Sequence, residues 1–169
     1  MIKSQLTISF LAAACLTISA CGTTESTAPN PDYETYISPG DIFKHLTFKD
    51  IHGQPIDLAN APGKKLVIFF ATWCSDSQRM FNALNASPLV TDHNLTIVAI
   101  GREETSESLA QFAVDYNVSF PLITDEQRNV YSQYANKGVP RLILLDENNR
   151  VVNTLIGETE NIIEQVKWN

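Results

Sequence analysis

Apolar positions in the middle of the chain alternate between continuous runs and runs with helical spacing. Residues 65–71 and 94–101 are almost entirely apolar, as expected of strands that are covered on both faces. Residues 75–85 and 106–116 instead place an apolar side chain every three or four positions, which predicts amphipathic helices, the second capped by Ser106. The middle of the chain therefore predicts the order strand, helix, strand, helix.

Further strands and helices are predicted on either side of this central unit. They are hairpin strands at 43–49, 55–58, 141–145 and 151–156, and helices at 125–134 and 158–168. Gly53 lies in the turn of the first hairpin. Together these elements predict an α/β fold with a central mixed β-sheet, helices on both sides of the sheet and an N-terminal β-hairpin.

The first twenty residues have the pattern of an export signal. Lys3 provides a positive charge, and residues 6–20 are apolar or small. This run is shorter than the stretch of about 20 apolar residues that a membrane-spanning helix needs, and it suits the core of a signal peptide. We therefore predict a signal peptide at 1–20.

A cysteine follows directly after this run. The sequence Ile-Ser-Ala before Cys21 resembles the lipobox of bacterial lipoproteins, which implies a lipid on Cys21 and attachment to a membrane. Cys15 is the weaker candidate, because it would leave a very short apolar core. Residues 21–39 are rich in Thr, Ser and Pro and predict a flexible tether, followed by one domain at 40–169. No aspartate follows Cys21, which by the same resemblance favours the outer membrane of a bacterial envelope, with the domain facing the periplasm.

The acidic charge of the chain excludes one class of function. The 12 lysines and arginines and the 19 aspartates and glutamates give a formal net charge of −7. Such a surface argues against binding to nucleic acids or to anionic lipids. His45, His52 and His93 are predicted as surface or turn residues, and Glu103 and Glu104 as solvated loop charges, so neither a metal site nor an acid–base pair is predicted.

The cysteines carry the candidate chemistry. If Cys21 holds a lipid and Cys15 leaves with the signal, Cys74 is the only free thiol, and the domain cannot form an internal disulfide. Residues 69–77, Phe-Phe-Ala-Thr-Trp-Cys-Ser-Asp-Ser, have the frame of a redox Cys-x-x-Cys motif with Ser77 in place of the second cysteine. A lone thiol can start a thiol–disulfide exchange but needs another thiol to complete it.

The predicted position of Cys74 favours a reactive sulfur. A cysteine at the point where a strand turns into a helix lies over unpaired N–H groups and the positive end of the helix dipole. Both features favour the thiolate. Trp73 is expected to shield one side of the sulfur, and Ser77 to hydrogen-bond the thiolate or a mixed disulfide.

These motifs together resemble a known group of proteins. The hairpin, the strand-to-helix turn at 64–74 and the segment Gly-Val-Pro-Arg at 138–141 are similar to the thioredoxin-like TlpA/ResA group, which is related to the AhpC/TSA peroxiredoxins. The resemblance covers about residues 40–168. It implies a membrane-tethered thiol–disulfide oxidoreductase of the cell envelope that acts on protein disulfides or small thiols and needs no cofactor.

The resemblance also implies the substrate site. The bond between Val139 and Pro140 is expected to be cis and to lie beside Cys74, so that Val139, Pro140 and Arg141 meet an extended peptide. Other positions depart from the group. Ile68 stands where thioredoxins often carry a buried acid, so no proton relay is predicted there.

The charge next to the cysteine is a second departure. Asp76 opposes the formation of a thiolate at Cys74, although Arg79 could pair with it at helical spacing. Arg141 could instead face Cys74 and offset Asp76. We treat this second arrangement as a hypothesis that follows only from the predicted position of Arg141.

Three functions fit these residues. In the first, Cys74 attacks a substrate disulfide and an external thiol releases the product, as in a monothiol reductase or isomerase. In the second, Cys74 reacts with peroxide and an outside thiol reduces its sulfenic acid. The peroxiredoxin pattern Pro-x-x-x-Thr-x-x-Cys finds Val67 and Ala71 at its two required positions and Thr72 one residue out of step, which ranks this alternative lower. In the third, a non-catalytic scaffold binds partners through the same groove. We favour the exchange enzyme.

Overall fold

The computed structural model describes residues 32–157 and 159–168. Within these residues the strands are β1 (Thr47–Lys49), β2 (Pro55–Asp57), β3 (Lys64–Phe70), β4 (Leu95–Arg102), β5 (Leu122–Asp125), β6 (Arg141–Leu145) and β7 (Val151–Ile156). The helices in the same part of the chain are α1 (Ser75–Asn85), α2 (Ser106–Asp115) and three 3-10 helices at Pro88–Thr91, Tyr131–Gln133 and Ile162–Gln165.

The strands form a small hairpin and one larger mixed sheet. β1 pairs antiparallel with β2, and the five-stranded sheet of the described residues has the order β5-β4-β3-β6-β7. β3, β4 and β5 are parallel, whereas β6 runs antiparallel to both β3 and β7. The predicted mixed sheet with flanking helices and an N-terminal hairpin is therefore confirmed.

The central strand β3 contributes to two separate apolar cores. Leu66, Ile68 and Phe70 pack on one face of the sheet, together with apolar side chains from both α1 and α2. Val67 and Phe69 pack on the opposite face. The continuous apolar run predicted as a strand is thus buried on both sides, because alternate side chains of a strand point to opposite faces.

Both α-helices cover the same face, which differs from the prediction of helices on both sides. The crossovers from β3 to β4 and from β4 to β5 run in one direction across the sheet, and right-handed crossovers then place their helices on one face. The second face is covered by Ile37, Phe43 and Leu58 from the N-terminal part and by Tyr131 and Tyr134 at a 3-10 helix.

The helix predicted at 125–134 is wrong. Leu122–Asp125 forms the edge strand β5, and the following residues turn back without forming an α-helix. The Asp125 carboxylate accepts hydrogen bonds from the backbone N–H groups of Val130 and Tyr131 at 3.1 and 2.7 Å. Arg128 has a positive φ of 60°. A non-glycine residue in this left-handed region interrupts a helix, so a compact turn forms instead.

The closing helix predicted at 158–168 is also wrong. Its described part contains one short 3-10 helix, Ile162–Gln165, although Ile162, Ile163 and Val166 are buried in the first core, as the apolar pattern suggested. Trp168 then returns to the sheet, where its indole N–H donates to the carbonyl of Leu145 at 2.9 Å.

The cap predicted for α2 is displaced by one residue. Thr105, and not Ser106, is the N-cap. The Thr105 hydroxyl accepts from the N–H of Ser108, and the Ser108 hydroxyl accepts from the N–H of Thr105. This reciprocal pair satisfies two N–H groups at the start of the helix.

The N-terminal end of the described chain lies against the domain. Tyr36 N–H donates to the carbonyl of Tyr134, and Thr35 forms a β-bridge with Ala135. The end of the predicted tether therefore packs on the fold. The predicted signal peptide and Cys21 lie outside the described residues. Among residues 32–157 and 159–168, no helix has the length and apolar character needed to cross a membrane.

Candidate active site

Cys74 lies where β3 ends and α1 begins. It is the N-cap residue of α1, with extended backbone angles, and its carbonyl accepts from the N–H of Gln78 at 3.0 Å. The Cys74 N–H donates to the carbonyl of Ala71 at 3.2 Å. In the described part of the chain Cys74 carries a free thiol, and it is partly exposed.

The sulfur contacts the loop that precedes β6. Cys74 Sγ lies 3.2 Å from the carbonyl oxygen of Val139, 65 residues further along the chain, and its S–H donates to that oxygen. The Val139–Pro140 peptide bond is cis. Gly157 presses on this loop, since a Cβ at position 157 would lie 2.3 Å from Pro140 Cγ. The chain therefore brings the two sequence motifs together.

A buried carboxylate holds the turn before Cys74. Glu104 is only 4% exposed, and its Oε1 accepts from both the N–H and the hydroxyl of Thr72, at 2.6 and 2.7 Å. Its Oε2 accepts from the hydroxyl of Ser108 at 2.7 Å. The amide of Gln78 donates to the carbonyl of Thr72 at 2.7 Å. The prediction of a solvated loop charge at Glu104 is wrong.

Close packing brings Glu104 beneath the turn. A Cβ at Gly101 would lie 2.9 Å from Glu104 Cβ and 2.7 Å from Leu109 Cδ2, so the end of β4 has room for glycine alone. The sequence contained one indication of a buried acid here. Gly101 ends an apolar run, and Glu104 follows shortly after it, directly before the helix cap Thr105. That indication does not name Thr72 as the partner of Glu104, since the two residues are 32 positions apart.

A different set of side chains holds the loop at 136–139. Its four consecutive carbonyl groups each accept a hydrogen bond from a side chain. Arg128 donates to residue 136 at 2.8 Å, Arg141 to residue 137 at 3.1 Å, Tyr131 to residue 138 at 2.7 Å and Cys74 to residue 139 at 3.2 Å. The backbone that faces the sulfur is therefore fixed over its whole length.

Arg141 does not face Cys74, in contrast to the hypothesis drawn from the sequence. Its guanidinium is buried, donates to the carbonyls of Lys137 and Gly138, and reaches Thr35 Oγ1 at 2.6 Å. The charge of Asp76 is instead met by Arg79, whose Nη2 lies 2.6 Å from the carboxylate in a solvent-exposed pair. The first of the two sequence alternatives, an Asp76–Arg79 pair, is the one that the structure contains.

The two residues beside Cys74 in the motif differ strongly in exposure. Ser77 is fully buried, and its hydroxyl accepts from the N–H of Ala71 at 3.4 Å. Trp73 is 65% exposed, and the Arg102 guanidinium carbon lies 6.0 Å from the centre of its ring. The predicted bond from Ser77 to the sulfur and the predicted shielding by Trp73 stay predictions.

The histidines lie away from this cysteine in the chain, and one of them is partly buried. His45 Nδ1 lies 2.7 Å from the hydroxyl of Tyr134, and burial lowers the pKa of His45 below its ordinary value. Burial raises the pKa of Tyr134. His52 and His93 are exposed. The described residues contain no group of three side chains suited to hold a metal ion.

A cysteine-bearing strand-to-helix turn opposite a cis-proline loop, on a mixed sheet, defines a thioredoxin-like protein. The model of the AhpC/TSA family matches residues 39–154, and the chain belongs to this family. The predicted resemblance to the ResA group is also confirmed. The chain is 28% identical to the thiol-disulfide oxidoreductase ResA of Bacillus subtilis over 130 residues, which cover 75% of this chain and 73% of that one.

Further matches differ in how much of each chain they cover. The Bacillus cereus ResA is 27% identical over 111 residues, and the match spans 64% of each chain, just under two thirds of that relative. A putative protein disulfide isomerase from Bacteroides thetaiotaomicron has a TM-score of 0.69 at 20% identity, covering 77% of this chain and 86% of that one. Peroxidoxin BcpB from Mycobacterium tuberculosis has a TM-score of 0.66 at 17% identity, with coverages of 76% and 93%. These two structures share the fold.

Proposed function

We propose that this protein carries out thiol–disulfide exchange in the bacterial cell envelope through the single thiol of Cys74. The observation that carries the proposal is the partly exposed sulfur, 3.2 Å from the carbonyl oxygen of Val139 and next to the cis bond to Pro140. The ResA relatives are named thiol-disulfide oxidoreductases, which supports the same reaction class.

The reaction proceeds as two exchanges at one sulfur. The Cys74 thiolate attacks a disulfide R–S–S–R′, forms a mixed disulfide with R, and releases R′ as a thiolate that takes a proton from water. Because Ser77 is not a thiol, the motif has no second cysteine that could expel R. An external thiol attacks the sulfur of R, takes R into a new disulfide and returns Cys74 to the thiolate. The disulfide passes to the external thiol, and the protein gains no net electrons.

Val139 supplies a docking group for a peptide substrate. In the resting thiol its carbonyl accepts from Cys74 Sγ–H. A mixed disulfide has no S–H, so this carbonyl becomes free to accept from a backbone N–H of an extended peptide. Pro140 and Arg141 then support the groove, Arg141 through the carbonyls of the preceding loop.

A peroxidase is the second candidate, since BcpB shares the fold at a TM-score of 0.66. One observation ranks it lower. The peroxiredoxin pattern has a threonine three residues before the cysteine, but position 71 is alanine, and the hydroxyl of Thr72 donates to Glu104. A binding scaffold without redox activity is the third candidate.

Mass spectrometry of the intact purified protein separates these candidates. We expect oxidised glutathione to add one glutathione at neutral pH, mapped by peptide analysis to Cys74 and released by an external thiol. Cys74→Ser is the matched control and should take no glutathione at this position. Formation of sulfenic acid with peroxide, without a glutathione adduct, favours the peroxidase. A thiol that reacts with neither reagent leaves the scaffold.

We also propose that the signal at 1–20 is removed and that Cys21 carries a lipid, which holds the domain at the periplasmic side of a membrane, the outer membrane being favoured. The support lies in the small residues before Cys21 and the polar segment after it. Cys21→Ala should move the protein from the membrane fraction to the soluble fraction. Cys15→Ala, the matched control, should leave it at the membrane. The opposite result would assign the lipid to Cys15.

A further inference from the structure

A carboxylate behind the cysteine turn is bound on both of its oxygens. Glu104 is buried, contacts Thr72 through Oε1 and contacts Ser108 through Oε2. We propose that Glu104 is a positioning residue for Cys74, which fixes the turn between β3 and α1 and thereby sets the place of the sulfur at Val139. Its importance for exchange rests on the proposed function, whereas its importance for the turn does not.

The contacts of Thr72 explain why this turn depends on Glu104. The N–H and the hydroxyl of Thr72 both donate to one carboxylate oxygen, at 2.6 and 2.7 Å. Because both bonds end on one oxygen, the backbone and the side chain of Thr72 are oriented together. The carbonyl of Thr72 accepts from Gln78 at 2.7 Å. The peptide groups on both sides of Thr72 are therefore held, two residues before Cys74.

The carboxylate itself is held by α2. Ser108 Oγ donates to Glu104 Oε2 at 2.7 Å and also takes part in the capping box of that helix. The start of α2 thus orients Glu104, and Glu104 orients the turn. Reacting groups that are displaced by about 1 Å can lose up to about 100-fold in rate, so an indirect contact of this kind can control the reaction of a thiol.

The partners of Glu104 in this contact set are neutral donors. Thr72 and Ser108 supply N–H and O–H groups and no positive charge. An acceptor oxygen at this place is therefore the property that the turn requires. Glutamine offers the same oxygen to Thr72, and its amide N–H₂ can donate to the hydroxyl of Ser108. We expect Glu104→Gln to keep the turn and Glu104→Leu to release it.

The experiment compares these two variants in the full chain with a control that is destabilised away from the turn. Ile97 lies on β4, the strand that precedes Glu104, near the end of the pairing with β3 that is remote from the turn, where it is paired with Leu66. Ile97→Ala therefore removes buried apolar surface without changing the turn. For each protein, peptide mass spectrometry measures the rates at which Cys74 reacts with iodoacetamide and with oxidised glutathione. The thermal midpoint is measured beside these rates.

We expect Cys74 of Glu104→Leu to react with oxidised glutathione about tenfold more slowly than in the wild type. This loss is smaller than the roughly 100-fold that a displacement of the sulfur by about 1 Å can cause. Glu104→Gln should stay within about threefold of the wild-type rate, since it keeps the acceptor oxygen. Ile97→Ala should keep the wild-type rates while its thermal midpoint falls. This pattern separates the placement of the sulfur from a general loss of stability.

Several results would overturn this role. One is a folded Glu104→Leu protein in which Cys74 reacts at the wild-type rates. Another is a Glu104→Gln or an Ile97→Ala protein in which Cys74 reacts as slowly as in Glu104→Leu. If wild-type Cys74 takes no glutathione but iodoacetamide still separates the two Glu104 variants, the positioning role stands and the proposed function fails. If Glu104→Leu does not fold, Thr72→Val decides the question, because it removes the hydroxyl contact alone. A wild-type rate in that variant would then overturn the proposal.

Discussion

Two segments meet at the sulfur of Cys74, and they are held in opposite ways. The turn at 71–74 is held largely through its N–H groups, by the carboxylate of Glu104 and the hydroxyl of Ser77. The loop at 136–139 is held through its carbonyl groups, by two arginines, a tyrosine and the thiol itself. The side chains around the turn therefore act mainly as hydrogen-bond acceptors, whereas those around the loop act as donors.

The segments also differ in the origin of these holding groups. The side chains that hold the first three loop carbonyls lie four to eight residues away along the chain. The main support of the turn comes from Glu104, which is 32 residues away from Thr72, in the connection between β4 and α2. The loop is therefore a local structure, whereas the turn depends on tertiary packing. Substitutions that release the loop should lower the free energy of unfolding. Substitutions that release the turn should alter the position of Cys74.

The largest expected effect comes from restoring a second thiol on the turn side. Ser77→Cys places a thiol one helical turn after Cys74, and an intramolecular thiol has a high effective concentration. We expect the lifetime of the glutathione adduct on Cys74 to fall at least about 100-fold, measured by mass spectrometry after quenching with acid. Ser77→Ala is the control and should keep the adduct. A long-lived adduct in Ser77→Cys would mean that this buried position cannot reach the sulfur.

The next effect tests the loop side. Arg141→Met removes donors from the carbonyls of Lys137 and Gly138 and from Thr35, and leaves buried acceptors without a charged donor. We expect the free energy of unfolding to fall by about 2–3 kcal/mol, measured by urea denaturation. Arg79→Met, which removes an exposed pair, should change it by less than about 0.5 kcal/mol. Equal effects in the two variants would contradict a special role of the buried arginine.

A smaller loss is expected at the same loop from a single hydroxyl. Tyr131→Phe removes the bond to the carbonyl of Gly138, but Arg141 Nε lies 3.3 Å from that oxygen and compensates in part. We expect a loss of about 1 kcal/mol in urea denaturation. Tyr36→Phe removes an exposed hydroxyl bond to Glu34 and should have almost no effect. A neutral Tyr131→Phe would show that Arg141 alone is sufficient to satisfy the carbonyl of Gly138.

The smallest effect lies outside both segments and depends on pH. Burial lowers the pKa of His45 in the folded protein, so below about pH 6.5 the unfolded chain binds this proton more readily. Neutral His45 therefore contributes to the free energy of unfolding above that pH. This contribution is lost as the pH falls through the lowered pKa of the folded state. Urea denaturation at several pH values should show a shallower decline in His45→Asn. Parallel curves for both proteins would contradict this contribution.

Elements with strong local patterns were predictable from sequence. The bounds of α1 agree with the predicted helix at 75–85, and β3 and β4 lie within one residue of the predicted runs, because their apolar spacing is long and regular. β5 was missed because it has only four residues and borders a turn built by Asp125. The closing segment kept its apolar spacing but not its helix.

The candidate site shows the same division. The pairing of Cys74 with Val139 followed from a family resemblance between two motifs, and the Asp76–Arg79 pair followed from helical spacing. Glu104 could not be found in this way, because its partner lies on a distant part of the chain and both side chains resemble ordinary loop residues. Contacts between distant segments depend on how β3 and β4 end side by side, which periodicity alone does not specify.

The hydrogen bond between Arg141 and Thr35 fixes where the N-terminal segment leaves the domain, right beside the cis-proline loop. If Cys21 carries a lipid, the 14 residue steps to Thr35 can span at most about 50 Å when fully extended. The active site would then stay within this distance of the bilayer, and its substrates would be disulfides that come close to the membrane surface.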